Sequence, residues 1–198
     1  MRVGTKSVLF GAHCFVIHPF FVAVAWRRLY GFPWDPRLWA AFFVHDLGYL
    51  GKPNMDSIEG EQHVLLAGHI MGFLFGARWR DFTFCHSRHW AKRLGKPYSK
   101  LCVADKLAFV MTPAWLYLPM ARASGELAEY MRVASARQSG SQFSNVELSL
   151  LRCRNPEVWL EGLKSYTRRW IEKHRNGGTD HWTVIRPAER EREACNAS

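Results

Sequence analysis

Apolar positions in this chain recur at helical rather than alternating spacing, and glycine and proline cut the pattern into helix-length blocks. A first helix is expected from about residue 20 to 30, with Pro19 in its first turn, where the missing N–H costs little; Gly31-Phe32-Pro33 stops it. Asp35-Pro36 caps the next, in which Leu38, Ala41, Phe42 and His45 recur at helical spacing. Gly48, Gly51 and Pro53 break the chain after that. A third helix, opened by Asp56 or Ser57, is expected over 59–75, a fourth over 81–93 and a fifth over 99–111, ended or bent by Pro113. Residues 127–136 read as helical and 137–145 (RQSGSQFSN) as a polar loop. The last helix, 156–174, places Trp159, Leu163, Tyr166 and Trp170 on one face. With no repeats and no alternating strands, the expectation is an all-α, single compact helical domain over 1–174. A polar, charge-mixed tail over 175–198 is expected to be poorly ordered.

One apolar stretch requires separate treatment. Residues 7–26 carry no formal charge and follow Arg2 and Lys6, so a membrane anchor or a leader has to be considered. His13, His18 and Pro19 interrupt the run, and the mean hydropathy of the chain is −0.20. The stretch therefore reads as a buried helix bearing a ligand residue, with no membrane span favoured. The 198 residues, 48% of them hydrophobic, suit one domain with a substantial core. Cys14, Cys85, Cys102, Cys153 and Cys195 are odd in number and form no C-x-x-C pair, which suits free thiols in a reducing cytoplasm.

The net charge of +10 is concentrated. Within residues 78–100, Arg78, Arg80, Arg88, Lys92, Arg93, Lys96 and Lys100 face the single acid Asp81, a patch that attracts phosphates, nucleic acid or anionic lipid. No P-loop, G-x-G-x-x-G or G-x-S-x-G occurs, so nucleotide-cradling loops and serine hydrolases find no support.

The chemistry is carried by His45-Asp46, set in the apolar run LWAAFFVHDLG. A buried aspartate without a partner is expensive, and imidazole beside carboxylate suits a divalent ion. Further apolar runs hold His13 and His18 (SVLFGAHCFVIHPFFVAVAW) and Asp105 (LCVADKLAFVM); between them lie His63, His69, His86 and His89.

This order, a histidine, then His-Asp, then histidines, then aspartate, resembles the HD-domain superfamily of metal-dependent phosphohydrolases over roughly residues 10 to 120. The segment HSRHWAKRLGKPYSKLCVADKL is similar to the closing segment of its small dinucleoside-polyphosphate hydrolases. The resemblance implies an HD-type helical domain with His18, His45, Asp46, His63, His86 and Asp105 as metal ligands. His13, His69 and His89 are the rivals of His18, His63 and His86. With all six, two ions would be held; with His18, His45, Asp46 and Asp105 alone, one. The ions implied are Mn, Fe, Co or Mg.

The activity implied is hydrolysis of a phosphate ester or anhydride of a nucleotide or related small molecule by metal-activated hydroxide, with Asp46, Lys52 and Glu59 as catalytic groups. Arg88, Lys92, Arg93, Lys106 and His89 would face the substrate. The usual HDIGK run is here HDLGYLGK, which displaces its lysine to Lys52, and no GYP segment follows. The same ligand series also occurs in HD-type di-iron oxygenases acting on polyols or phosphonates. Aromatics interleaved in the basic patch (Trp79, Phe82, Phe84, Trp90, Tyr98) leave open a non-catalytic module that binds nucleotide or nucleic acid. The Trp-rich last helix could contribute to a homo-oligomer.

Overall fold

Proline and short polar side chains set where the helices begin. The computed structural model describes residues 1–136, 142–180 and 183, and among these all regular structure is helical. The first two helices are α1 (Val3–Phe10) and α2 (His18–Tyr30); Pro19 sits in the first turn of α2 and Gly31, at φ 88°, ends it. Asp35 caps α3 (Pro36–Val44) by accepting from the Arg37 N–H at 2.9 Å. A 3-10 turn (Leu47–Tyr49) then leads to α4 (Ile58–Glu61) and α5 (His63–Phe75).

Next come α6 (Ala77–Phe84), α7 (Arg88–Arg93) and α8 (Lys100–Met111), the last two capped by Ser87 and Ser99. The chain continues through α9 (Ala114–Ser124) and α10 (Glu126–Ala136). It closes with α11 (Asn145–Leu151) and α12 (Pro156–His174).

Several expectations are corrected by this order. The apolar run 7–26 is not one buried helix: α1 ends at Phe10, and residues 11–17 form a loop before α2. A Cβ at Gly11 would stand 2.6 Å from the Ser7 Cα and 2.7 Å from the Ser124 Cβ, so only glycine lets the chain turn there. The run is also partly open, since Phe15, Val16, Phe20 and Val24 are exposed.

The helix expected over 59–75 is divided at Gln62, and that over 81–93 at Cys85–Ser87, where the Ser87 hydroxyl accepts from the Trp90 N–H and restarts the chain as α7. Helices α9 and α11 were not expected; α9 carries Pro119 in its interior, and α11 starts inside the segment read as loop, at a Ser144–Glu147 capping box. The first part of that loop, 137–141, lies outside the described residues, as do 181, 182 and 184–198 of the tail. The described start of the tail is packed, with Asp180 buried.

The core forms around α2, α3 and α8. Val22, Ala25, Ala41, Phe42, Leu101, Ala104 and Ala108 are fully buried and pack with Trp26 and Met71. Alanines on α2 and α8 let these helices approach closely, and that contact aligns His18 with Asp105. A second cluster joins Cys102 and Val103 of α8 to Tyr166, Trp170 and Ile171 of α12. A third places Trp159 and Leu160 against Tyr117, Leu118 and Leu127.

Gly48 fixes the remaining approach. A Cβ there would lie 1.8 Å from the His63 carbonyl oxygen, a backbone atom with no freedom to move aside. The 3-10 turn after His45-Asp46 is thereby pressed onto the first residue of α5. Among the described residues no single helix is long and apolar enough to cross a membrane; α8 and α9 pass only as a pair, bent by 104°.

Candidate metal centre

Five separate segments bring six side chains to one buried place. His18 opens α2, His45 and Asp46 follow α3, His63 opens α5, His86 lies in the break between α6 and α7, and Asp105 is on α8. All six are buried. His18, His45, Asp46 and Asp105 form one group with ligand-type atoms close enough for a single ion; Asp46, His63 and His86 form a second.

Asp46 belongs to both groups through different oxygens. Its Oδ2 is 3.0 Å from His45 Nε2 and 3.5 Å from His18 Nε2. Its Oδ1 is 3.8 Å from His63 Nε2 and 3.6 Å from His86 Nε2. Asp105 Oδ1 stands 3.0 Å from His18 Nε2 and 3.9 Å from His45 Nε2.

Backbone carbonyls set the imidazole tautomers. The Nδ1–H of His45 donates to the Phe42 carbonyl at 2.9 Å, that of His63 to Gly60 at 2.7 Å and that of His86 to Thr83 at 2.6 Å. A carbonyl only accepts, so each Nδ1 carries a proton and, in the neutral ring, each Nε2 turns a lone pair inward. The Nε2 atoms of His63 and His86 then meet at 3.0 Å, an arrangement that a shared proton or a metal ion relieves. Furthermore, His45 Nε2 and Asp46 Oδ2 are buried and, apart from their 3.0 Å approach to each other, make no hydrogen bond among the described residues. Groups of this kind are costly unless something fills the place. The donor set, imidazole nitrogens with carboxylate oxygens, suits a divalent transition ion, and the cluster fits an HD-type metal site.

The charges are strongly coupled. Burial opposes ionisation of Asp46, but His45 and His13 outweigh it and hold the carboxyl well below its usual range. Asp105 is likewise held well below, against burial, by the adjacent Lys106 ammonium and by His18. Burial and the neighbouring His86 push His63 well below the ordinary histidine value. For His45, burial is outweighed by the Asp46 charge, and its pKa rises to about 10.

A sign follows for metal uptake. A ligand nitrogen must be unprotonated, so protons compete with an ion for these nitrogens, most strongly at His45, whose pKa the Asp46 charge raises. Titrating metal-free protein with Mn²⁺ in unbuffered solution is expected to acidify it, and the apparent affinity should rise with pH from 6 to 9. An affinity flat across that range would contradict this.

Tyr49 stacks on His63, ring centroids 4.0 Å apart and nearly parallel. The His86 segment is held by Glu61, whose carboxylate accepts from the Ser87 hydroxyl at 3.0 Å and whose carbonyl accepts from the Trp90 indole at 2.7 Å. A small cavity beside the cluster is lined by His13, His18, His45 and Asp46 on one side and by Phe15, Pro19, Phe43 and Leu47 on the other.

The other residues singled out in the sequence are placed as follows. His13 is outside both groups but adjacent, its ring 5.7 Å from that of His18. It is held by Glu126, which sequence reasoning missed entirely. Glu126 is fully buried and accepts from His13 Nδ1 at 2.9 Å, the Ala12 N–H at 2.9 Å, the Ser124 hydroxyl at 2.7 Å and the Ser7 hydroxyl. His69 is exposed on the far side of α5, its ring edge-on to Phe84. His89 is buried near Trp90, its Nδ1 without a partner among the described residues.

Glu59 is exposed and engaged with Ser57 in the first turn of α4, so the structure does not bring it to the cluster. Lys52 reaches the Gln62 side chain at 3.4 Å. Lys106 stands at the edge of the cluster, partly exposed, its Nζ 2.6 Å from Asp105 Oδ2. Arg88 and Lys92 instead turn to Asp180, at 3.8 and 3.5 Å, and Arg93 is exposed over the Trp90 ring.

No protein-family model matches the chain, and neither any curated protein nor any solved structure matches it. What the structure shows is a helical fold with a buried His/Asp cluster that could hold a divalent metal ion.

Proposed function

We propose that the chain is a metal-dependent phosphohydrolase, cleaving a phosphate ester or anhydride of a nucleotide or related small molecule. The observation that carries this reading is Asp46, which offers one carboxylate oxygen to each of two groups of inward-facing imidazole nitrogens. His18, His45, Asp46 and Asp105 would hold one divalent ion, and Asp46, His63 and His86 a second. Ions so held would supply Lewis acidity toward a phosphoryl oxygen and would lower the pKa of water.

The chain's own groups contribute the rest. The carbonyls of Phe42, Gly60 and Thr83 hold the three rings in one tautomer, which removes reorganisation at the moment of reaction. Lys106 is partly exposed beside Asp105 and attracts an anionic group to the edge of the cluster as a point charge. His13 has Nδ1 committed to Glu126, so Nε2 is the ring atom left to hold or pass a proton in the cavity that His13 lines.

The test is a panel of nucleotides, dinucleoside polyphosphates and p-nitrophenyl phosphate, assayed with Mn²⁺, Co²⁺ or Mg²⁺. Expected is phosphate release that a chelator abolishes. Oxygen uptake with iron and no phosphate release would replace the hydrolase with an oxygenase. Salt-sensitive ligand binding without turnover would leave a binding module.

A further inference from the structure

The first 34 residues contain Arg2, Lys6, Arg27 and Arg28 and not one aspartate or glutamate. In the same stretch Leu9, Phe10, Phe15, Val16, Phe20 and Val24 are each between 43% and 56% exposed. Single exposed apolar residues are ordinary; six within 16 residues, joined by local structure, are not.

The Phe15 N–H donates to the Val8 carbonyl at 2.9 Å and folds the loop back onto the end of α1. Val16, Phe20, Val24 and Arg28 follow at intervals of four along α2 and its lead-in, which places them on one side. Phe20 also meets Phe43 of α3 edge-on, ring centroids 5.7 Å apart.

We propose that this face docks on an anionic lipid surface, with Phe15, Val16 and Phe20 entering the headgroup region and Arg27 and Arg28 meeting lipid phosphates. Aromatic and aliphatic side chains beside arginines, with no acid between, are the composition that an interfacial face requires. Long arginine side chains extend past apolar neighbours to reach the charged layer. A second copy of this chain fits less well, because a like face offers no carboxylate to pair with Arg27 and Arg28. Phe15, Pro19 and Phe43 also line the cavity beside His18 and Asp46, so docking brings that cavity to the bilayer. The inference does not depend on an ion being bound.

The experiment is flotation of the full chain with vesicles of phosphatidylcholine and phosphatidylglycerol in equal parts, against phosphatidylcholine alone. Binding is expected to the anionic vesicles. The double variant Phe15→Ser/Phe20→Ser should weaken it by about tenfold or more, as should Val16→Asp, a separate change at a more exposed position. Arg78→Gln/Lys96→Gln in the basic patch should bind within about twofold of the wild type, which separates an apolar seat from general positive charge. Asp46→Ala should also bind normally, so loss of the metal centre and loss of docking are distinguishable.

The proposal is overturned if neither vesicle binds, or if the phenylalanine and valine variants bind as the wild type does. It is equally overturned if the basic-patch variant alone loses binding, or if light scattering shows a dimer that the phenylalanine variant dissolves.

Discussion

Asp46→Ala is expected to strip metal from both halves of the cluster and to lower kcat/KM for phosphate release by about 10³-fold or more, some 4 kcal/mol of transition-state stabilisation. Among the described residues only Asp46 belongs to both groups: Oδ2 lies toward His18 and His45, and Oδ1 toward His63 and His86. Losing it would remove the negative charge that would offset ions bound to either group. The remaining nitrogens of His63 and His86 would then face each other with no carboxylate between the groups. Elemental analysis of protein purified without chelator reads the result directly. Wild type should carry about two ions per chain and the variant close to none. His63→Ala is the informative comparison, because it should lose one ion and keep the group around Asp105. A variant at Asp46 that kept its full metal content would remove the shared carboxylate from the mechanism.

The largest effect on stability is expected not at the cluster but behind it. Glu126→Ala should destabilise the fold by about 3–5 kcal/mol, because removing one partner of a buried charged pair strands the others. Those stranded are His13, the Ala12 N–H and the hydroxyls of Ser7 and Ser124, drawn from α1, the loop after it and the end of α9. Glu126→Gln keeps the shape and an acceptor, and should lose only about 1–2 kcal/mol. Urea unfolding of the metal-free proteins measures both, without a contribution from bound ions. Equal midpoints for wild type and Glu126→Ala would show that the network adds nothing to the fold.

Much of the fold was readable because its signals are local. The amphipathic face of α12 and the Asp35-Pro36 start of α3 follow from spacing and capping alone. His45-Asp46 stood out for a different reason, since two ionisable groups in an apolar run must find partners in the interior. That logic also drew in His18 and Asp105, and these side chains do lie within 3.0 Å of each other.

What escaped was set by contacts between distant segments. The break that frees His86 from a continuous helix depends on Ser87 and Glu61, and the approach of His63 depends on a glycine fifteen positions earlier. Glu126 reads as an ordinary first-turn acid, and nothing nearby announces that groups more than a hundred residues away converge on it. Similarly, hydropathy marked residues 7–26 as apolar but carried no information about which side of the run another helix would cover.

The scatter of the six ligand-type residues along the chain has a last consequence. They span positions 18 to 105, so the full set of donors exists only once α2, α5 and α8 have all come together. An ion that bound this set would favour the native chain over the unfolded one, and would therefore act as a reversible cross-link. Its contribution would grow with supply, about 2.7 kcal/mol when free metal stands a hundredfold above its dissociation constant. The lifetime of the folded chain, and its resistance to proteases, would then rise and fall with the metal content of its surroundings.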